Sequence, residues 1–102
     1  MRETDLYPPV KAFLEAQGYE VKGEVGPADV MACRGEEAPV IVGLKLRPSL
    51  TLFQQAADRQ RLSDAVYVAF AWRSGGAFRK ALAGHKGLCR RLCLGLLTVR
   101  VE

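Results

Sequence analysis

Val40-Ile41-Val42-Gly43-Leu44-Lys45-Leu46 is β-branched and apolar almost throughout, the composition of a central strand rather than of a solvated edge. The elements around it read outward from there. Upstream, Ala28 to Cys33 forms a second short strand, and the polar stretch Arg34 to Pro39 makes a hairpin connection between the two. Before that, Tyr19 to Val25 alternates in the manner of a strand with one buried face and closes on the turn pair Gly26-Pro27. The first segment, Thr4 to Gln17, places Leu6, Val10, Phe13 and Leu14 at helical spacing, with Thr4 as cap and Gly18 as stop. Pro8 and Pro9 fall where an early turn tolerates them.

Downstream, Pro48 breaks the central strand, and Ser49 or Thr51 caps a helix running to about Leu62. Ala65 to Ala71 is a wholly apolar, interior strand. Ser74-Gly75-Gly76 is a loop, Ala77 to Leu92 a helix interrupted by Gly84 and Gly87, and Leu94 to Val101 a last strand. The expected order is α-β-β-β-α-β-α-β, an α/β arrangement: a meander, then a helical crossover to a parallel strand, in a mixed central sheet.

A chain of 102 residues suffices for one domain with a modest core, so residues 1–102 are expected to fold as a unit. The net charge of +4 leans mildly towards polyanionic partners, and the placement of charge matters more than its total. Cys33, Cys89 and Cys93 have no framework spacing, and no run of about eighteen apolar residues offers a membrane span. A reducing cytoplasm and no membrane are the expectation. Cys89 and Cys93 stand four apart and could form half of a metal site, but His85 is the only histidine and no second cysteine pair exists, which favours idle thiols.

Metal-dependent phosphodiesterases need carboxylates that converge on a hard cation, with a lysine near the attacking water or the scissile phosphate. An Asp opening one strand, beside an i, i+2 pair on its neighbour, puts all three side chains on one face of a sheet. Asp29 opens the second strand, and Lys45 lies in the third. A charged Lys45 in so apolar a run needs an anionic partner or a site to point into, unless it lies at a sheet edge with its head in water.

The stretches Glu24-Val-Gly-Pro-Ala-Asp29, Val40-Ile-Val-Gly43-Leu-Lys45-Leu and Leu52-Phe-Gln-Gln55-Ala-Ala-Asp-Arg59 together resemble the PD-(D/E)XK phosphodiesterase superfamily. The segment Thr4 to Lys11 is similar to the start of bacterial phosphodiesterases of that kind. The resemblance implies a restriction-endonuclease-like core and an Mg²⁺- or Mn²⁺-dependent nuclease activity on DNA rather than RNA. It implies Asp29 as a metal ligand, Lys45 as the motif lysine, and Gln55 with Arg59 as the helix pair that faces the site. Glu3 or Glu24 would supply a further acid, and Arg47, Arg59 and Arg61 would meet nucleic acid. A plainer role for Arg59 is a surface pair with Asp58 or Asp64.

The departure is Gly43, where the pattern calls for Glu or Asp. Glycine binds no metal, and in a buried strand it loses packing and backbone order. Either a substitution disabled the enzyme or the site decayed towards a binding role. Migration of the acid to the following helix has little to draw on, because the inward candidates there are Gln54 and Gln55 and only Asp58 is acidic. Metal affinity and hydrolysis should both fall sharply. Three readings follow: a weakened nuclease, a non-catalytic nucleic-acid-binding module, and a homodimerisation domain that pairs through the last strand. Arg79, Lys80, Lys86, Arg90 and Arg91 make the last helix basic, either as a phosphate-contacting face or as a solvated one. Phe70 and Trp72 fit the core better than base stacking, and His85 has no evident acid-base partner.

Overall fold

The computed structural model describes residues 2–23 and 29–100. A 3₁₀ turn, Glu3–Leu6, leads into α1, Tyr7–Ala16. The two prolines sit in the first turn of α1, where no intrahelical partner is lost. Thr4 is therefore inside the turn rather than capping it, and the backbone N–H of Arg2 is met instead by Asp5 Oδ2 at 2.8 Å. Gly18 follows α1 at φ +88°, a conformation that stops the helix at little steric cost.

Three strands come next: β1, Glu20–Gly23; β2, Asp29–Cys33; β3, Val40–Lys45. The expected Gly26-Pro27 turn lies outside the described residues. Ser49 then caps α2, Leu50–Arg59, its Oγ accepting from the Leu52 N–H at 3.2 Å. Strand β4, Ala65–Ala71, helix α3, Gly76–Leu92, and strand β5, Gly95–Val99, complete the order. Helix α3 runs unbroken through Gly84 and Gly87, contrary to the interruption expected there. Its inward side chains Phe78, Leu82 and Cys89 hold it to the sheet side of the core, and that packing outweighs the weak helix propensity of two glycines.

The strands form one mixed five-stranded sheet in the order β1-β2-β3-β4-β5. Strand β2 is antiparallel to β1 and to β3, while β3, β4 and β5 are mutually parallel. Two right-handed crossovers stepping the same way place both connecting helices on one face, and α2 and α3 do share one. On that face Ile41, Val66, Val68 and Phe70 meet Leu52, Phe53 and Ala56 of α2 and Cys89 of α3. The other face is covered by Leu6, Val10 and Leu14, packed on Val30, Val42 and Leu44. Strand β3 is thus covered on both sides, as its composition demands. Among the described residues, no helix is long and apolar enough to cross a membrane.

Candidate functional site

Strand alternation places Ile41, Gly43 and Lys45 on the face shared with α2, since Val40, Val42 and Leu44 belong to the opposite core. Asp29 is the register partner of Gly43 across the antiparallel pair. A Cβ built on Gly43 would lie 3.5 Å from Asp29 Oδ1 and 3.3 Å from Leu52 Cδ1. The side chain of Asp29, the vector at Gly43 and Lys45 therefore share one face of neighbouring strands. Gly43 has ordinary extended backbone, so no left-handed conformation calls for glycine there.

Asp29 is almost wholly buried, its side chain 6% exposed, and Arg59 reaches it from the last turn of α2. Arg59 Nε donates to Asp29 Oδ2 at 2.6 Å, a charge-assisted bond that satisfies a carboxylate removed from water. That bond, and the Asp29 charge behind it, raise the Arg59 guanidinium further above its ordinary value. Arg59 also lies 3.6 Å from Asp58 Oδ2, so the surface pair expected for it exists alongside the buried one. Helical spacing explains the reach: Leu52, Phe53 and Ala56 anchor α2 to the sheet, and Arg59 stands one turn beyond Ala56 on the same side.

Lys45 is partly covered and has an anionic partner, Glu3 Oε1, at 3.6 Å. Glu3, named from sequence as a further acid, is thus brought to the end of β3 by the turn before α1. Glu24, the other named acid, lies outside the described residues. Gln55 is exposed one turn before Arg59, without a hydrogen bond among the described residues. Arg47 is exposed just beyond Lys45, and Arg61 is turned outward with Asp58 Oδ1 at 3.4 Å.

A hard divalent cation takes several oxygen ligands. Among the described residues, no group of three or more His, Cys, Asp and Glu side chains is placed to hold one. Asp29 is already bound by Arg59. These residues do not fit Mg²⁺ as they stand. Phe70 is wholly buried and His85 lies stacked on Phe53 at 5.7 Å, which gives both a packing role. Cys89 is buried and Cys93 exposed, and burial pushes the Cys89 thiol up.

What sequence reasoning did not anticipate is Arg73, on the loop after β4. It lines an open pocket with Arg47 at the carboxyl ends of β3 and β4. A signal for it does exist in the sequence: a polar loop after an interior parallel strand is where open α/β sheets place their ligands. The chain matches no family model, no curated protein and no solved structure.

Proposed function

We propose that this chain is a nuclease-like phosphodiesterase domain of the PD-(D/E)XK kind that acts on DNA, weak or inactive in hydrolysis because position 43 carries glycine. The carrying observation is the juxtaposition at β2 and β3: Asp29 Oδ1 lies 3.5 Å from where a side chain at position 43 would begin, with Lys45 two residues on. The run from α1 to β4 has the α-β-β-β-α-β order of the restriction-endonuclease-like core that the resemblance implies. In this reading Asp29 is the surviving acid, Lys45 the motif lysine, and Arg59 with Gln55 the helix residues beside them. Mg²⁺ or Mn²⁺ is the cofactor that a restored acid would take. The three unpaired cysteines suit a cytoplasmic setting.

The test is Gly43→Glu beside the parent chain. The variant should show a melting temperature that rises with Mn²⁺ or Mg²⁺, and should cleave single-stranded, duplex or branched DNA in their presence; the parent should do neither. A variant that stays inert on all three and ignores the metal would falsify the reading.

The Asp29–Arg59 bond favours a second reading, a module that binds nucleic acid without cutting it. A carboxylate held by a guanidinium at 2.6 Å is stable without a metal, so the fold has no need of one.

A further inference from the structure

Beyond Lys45 the chain turns through Leu46, Arg47 and Pro48, and the end of β4 with the loop after it brings Ala71 and Arg73 beside it. Together with Phe78 of α3 these residues line an open pocket of about 380 Å³. Its walls are of two kinds. Leu46, Pro48, Ala71 and Phe78 give an apolar floor, while Arg47 and Arg73 are exposed cations with no acidic partner within 4 Å among the described residues. Most other arginines before Asp64 are engaged: Arg34 by Glu37, Arg59 by Asp29, Arg61 by Asp58.

The setting has the same sign. Between residues 65 and 101 the sequence has seven Lys and Arg and no Asp or Glu. Trp72, the chain's one tryptophan, stands in sequence between the lining residues Ala71 and Arg73. It is exposed, with the Arg100 guanidinium 4.2 Å from its ring and Phe78 edge-on at 6.3 Å. An apolar floor with a few placed charges is the usual make-up of a small-ligand pocket, and the carboxyl ends of parallel strands are its usual place.

The geometry points to a nucleotide subsite: Arg47 and Arg73 hold the phosphate of one nucleotide unit, and the floor at Leu46, Pro48 and Phe78 takes its sugar or base. This deepens the DNA reading above and rests on it for the class of ligand. The pocket begins one residue after Lys45, at the carboxyl end of β3. The unit is shared chemistry between a free nucleotide and a strand, and the measurement separates them.

Trp72 makes the test direct. The parent chain, in EDTA, is titrated with inorganic phosphate, with deoxythymidine monophosphate and with a short single-stranded oligodeoxythymidylate, following tryptophan fluorescence and, for a labelled oligomer, anisotropy. The nucleotide or the oligomer should change the fluorescence saturably, and phosphate alone should bind more weakly. Saturation by the mononucleotide as tight as by the oligomer identifies a free nucleotide; tighter binding of the oligomer identifies a strand. Arg47→Ala with Arg73→Ala should weaken binding of the oligomer about tenfold or more and lower its salt slope by about 0.7, the value for the one phosphate of a single strand that both arginines hold. The charge-matched control, Arg90→Ala with Arg91→Ala in the last turn of α3, should leave affinity within about threefold, since it removes charge but no pocket wall. The pocket is refuted if the paired Arg47 and Arg73 variant binds like the parent, or if the control loses as much. Anisotropy reporting binding that Trp72 does not sense, or phosphate binding as tightly as the nucleotide, would do the same. Because no metal is present, none of these results depends on cleavage by Gly43→Glu.

Discussion

A carboxylate as buried as that of Asp29 is stable only with a partner, and Arg59 is the partner the fold provides. Removing the guanidinium should leave a buried acceptor without its donor, a loss of about 1–3 kcal/mol. We therefore expect Arg59→Ala to lower the stability measured by urea unfolding by that amount, whereas Asp29→Ala combined with Arg59→Ala should cost less than the two single changes summed, because no charge is then orphaned. Strictly additive losses would show that the pair is not coupled. The same residues mark how far the site was legible beforehand. That Asp29 and Lys45 share one face was an expectation from alternation within each strand, and it needed the register of β2 on β3, Asp29 opposite Gly43, to decide it. Which acid Arg59 would choose could not be read, because Asp58 is its sequence neighbour and Asp29 lies thirty residues away, brought close only by the sheet.

At the scale of elements, β3 and β4 were legible because burial on both faces leaves an apolar signature that survives any choice of neighbours. Strand β4 has the bounds expected of it, Ala65–Ala71. The first and third helices were less so, for different physical reasons. The start of α1 is set by a 3₁₀ turn that proline spacing does not reveal, and α3 continues through glycines because its anchors lie on a face the sequence shows only in part. Those glycines lead to a prediction. An alanine Cβ at Gly84 or Gly87 would have nothing within 4 Å, and both sit in regular helix. Each Gly→Ala change should raise stability by about 0.5–1 kcal/mol through helix propensity and a less flexible unfolded chain. Thermal unfolding of the two single variants and of the pair measures this. A fall in melting temperature would mean that a neighbouring molecule, or a movement of α3, uses the missing side chains.

Across the whole molecule the acids and bases are unevenly divided. Ten of the eleven acidic residues lie at or before Asp64, where most cations have partners, while everything from Ala65 to Val101 carries only positive charge. The two proposed roles draw on different parts of this distribution. Metal-dependent chemistry would belong to the β2 and β3 face at Asp29; phosphate binding would belong to the loops after β3 and β4. Salt and chelator therefore act on separate groups. If two phosphates are neutralised, a fourfold rise in salt should weaken DNA binding about tenfold, because the observed constant falls by roughly 0.9 of a power of the salt concentration per phosphate. For the chain with Gly43 we expect that salt dependence together with an affinity unchanged by EDTA. For Gly43→Glu we expect a similar salt slope with an added EDTA-sensitive component, read by anisotropy of a labelled duplex or single strand. Binding that ignores salt would remove the cationic half from any role in recognition. Binding by the parent that disappears in EDTA would mean that Asp29 holds a metal despite Arg59.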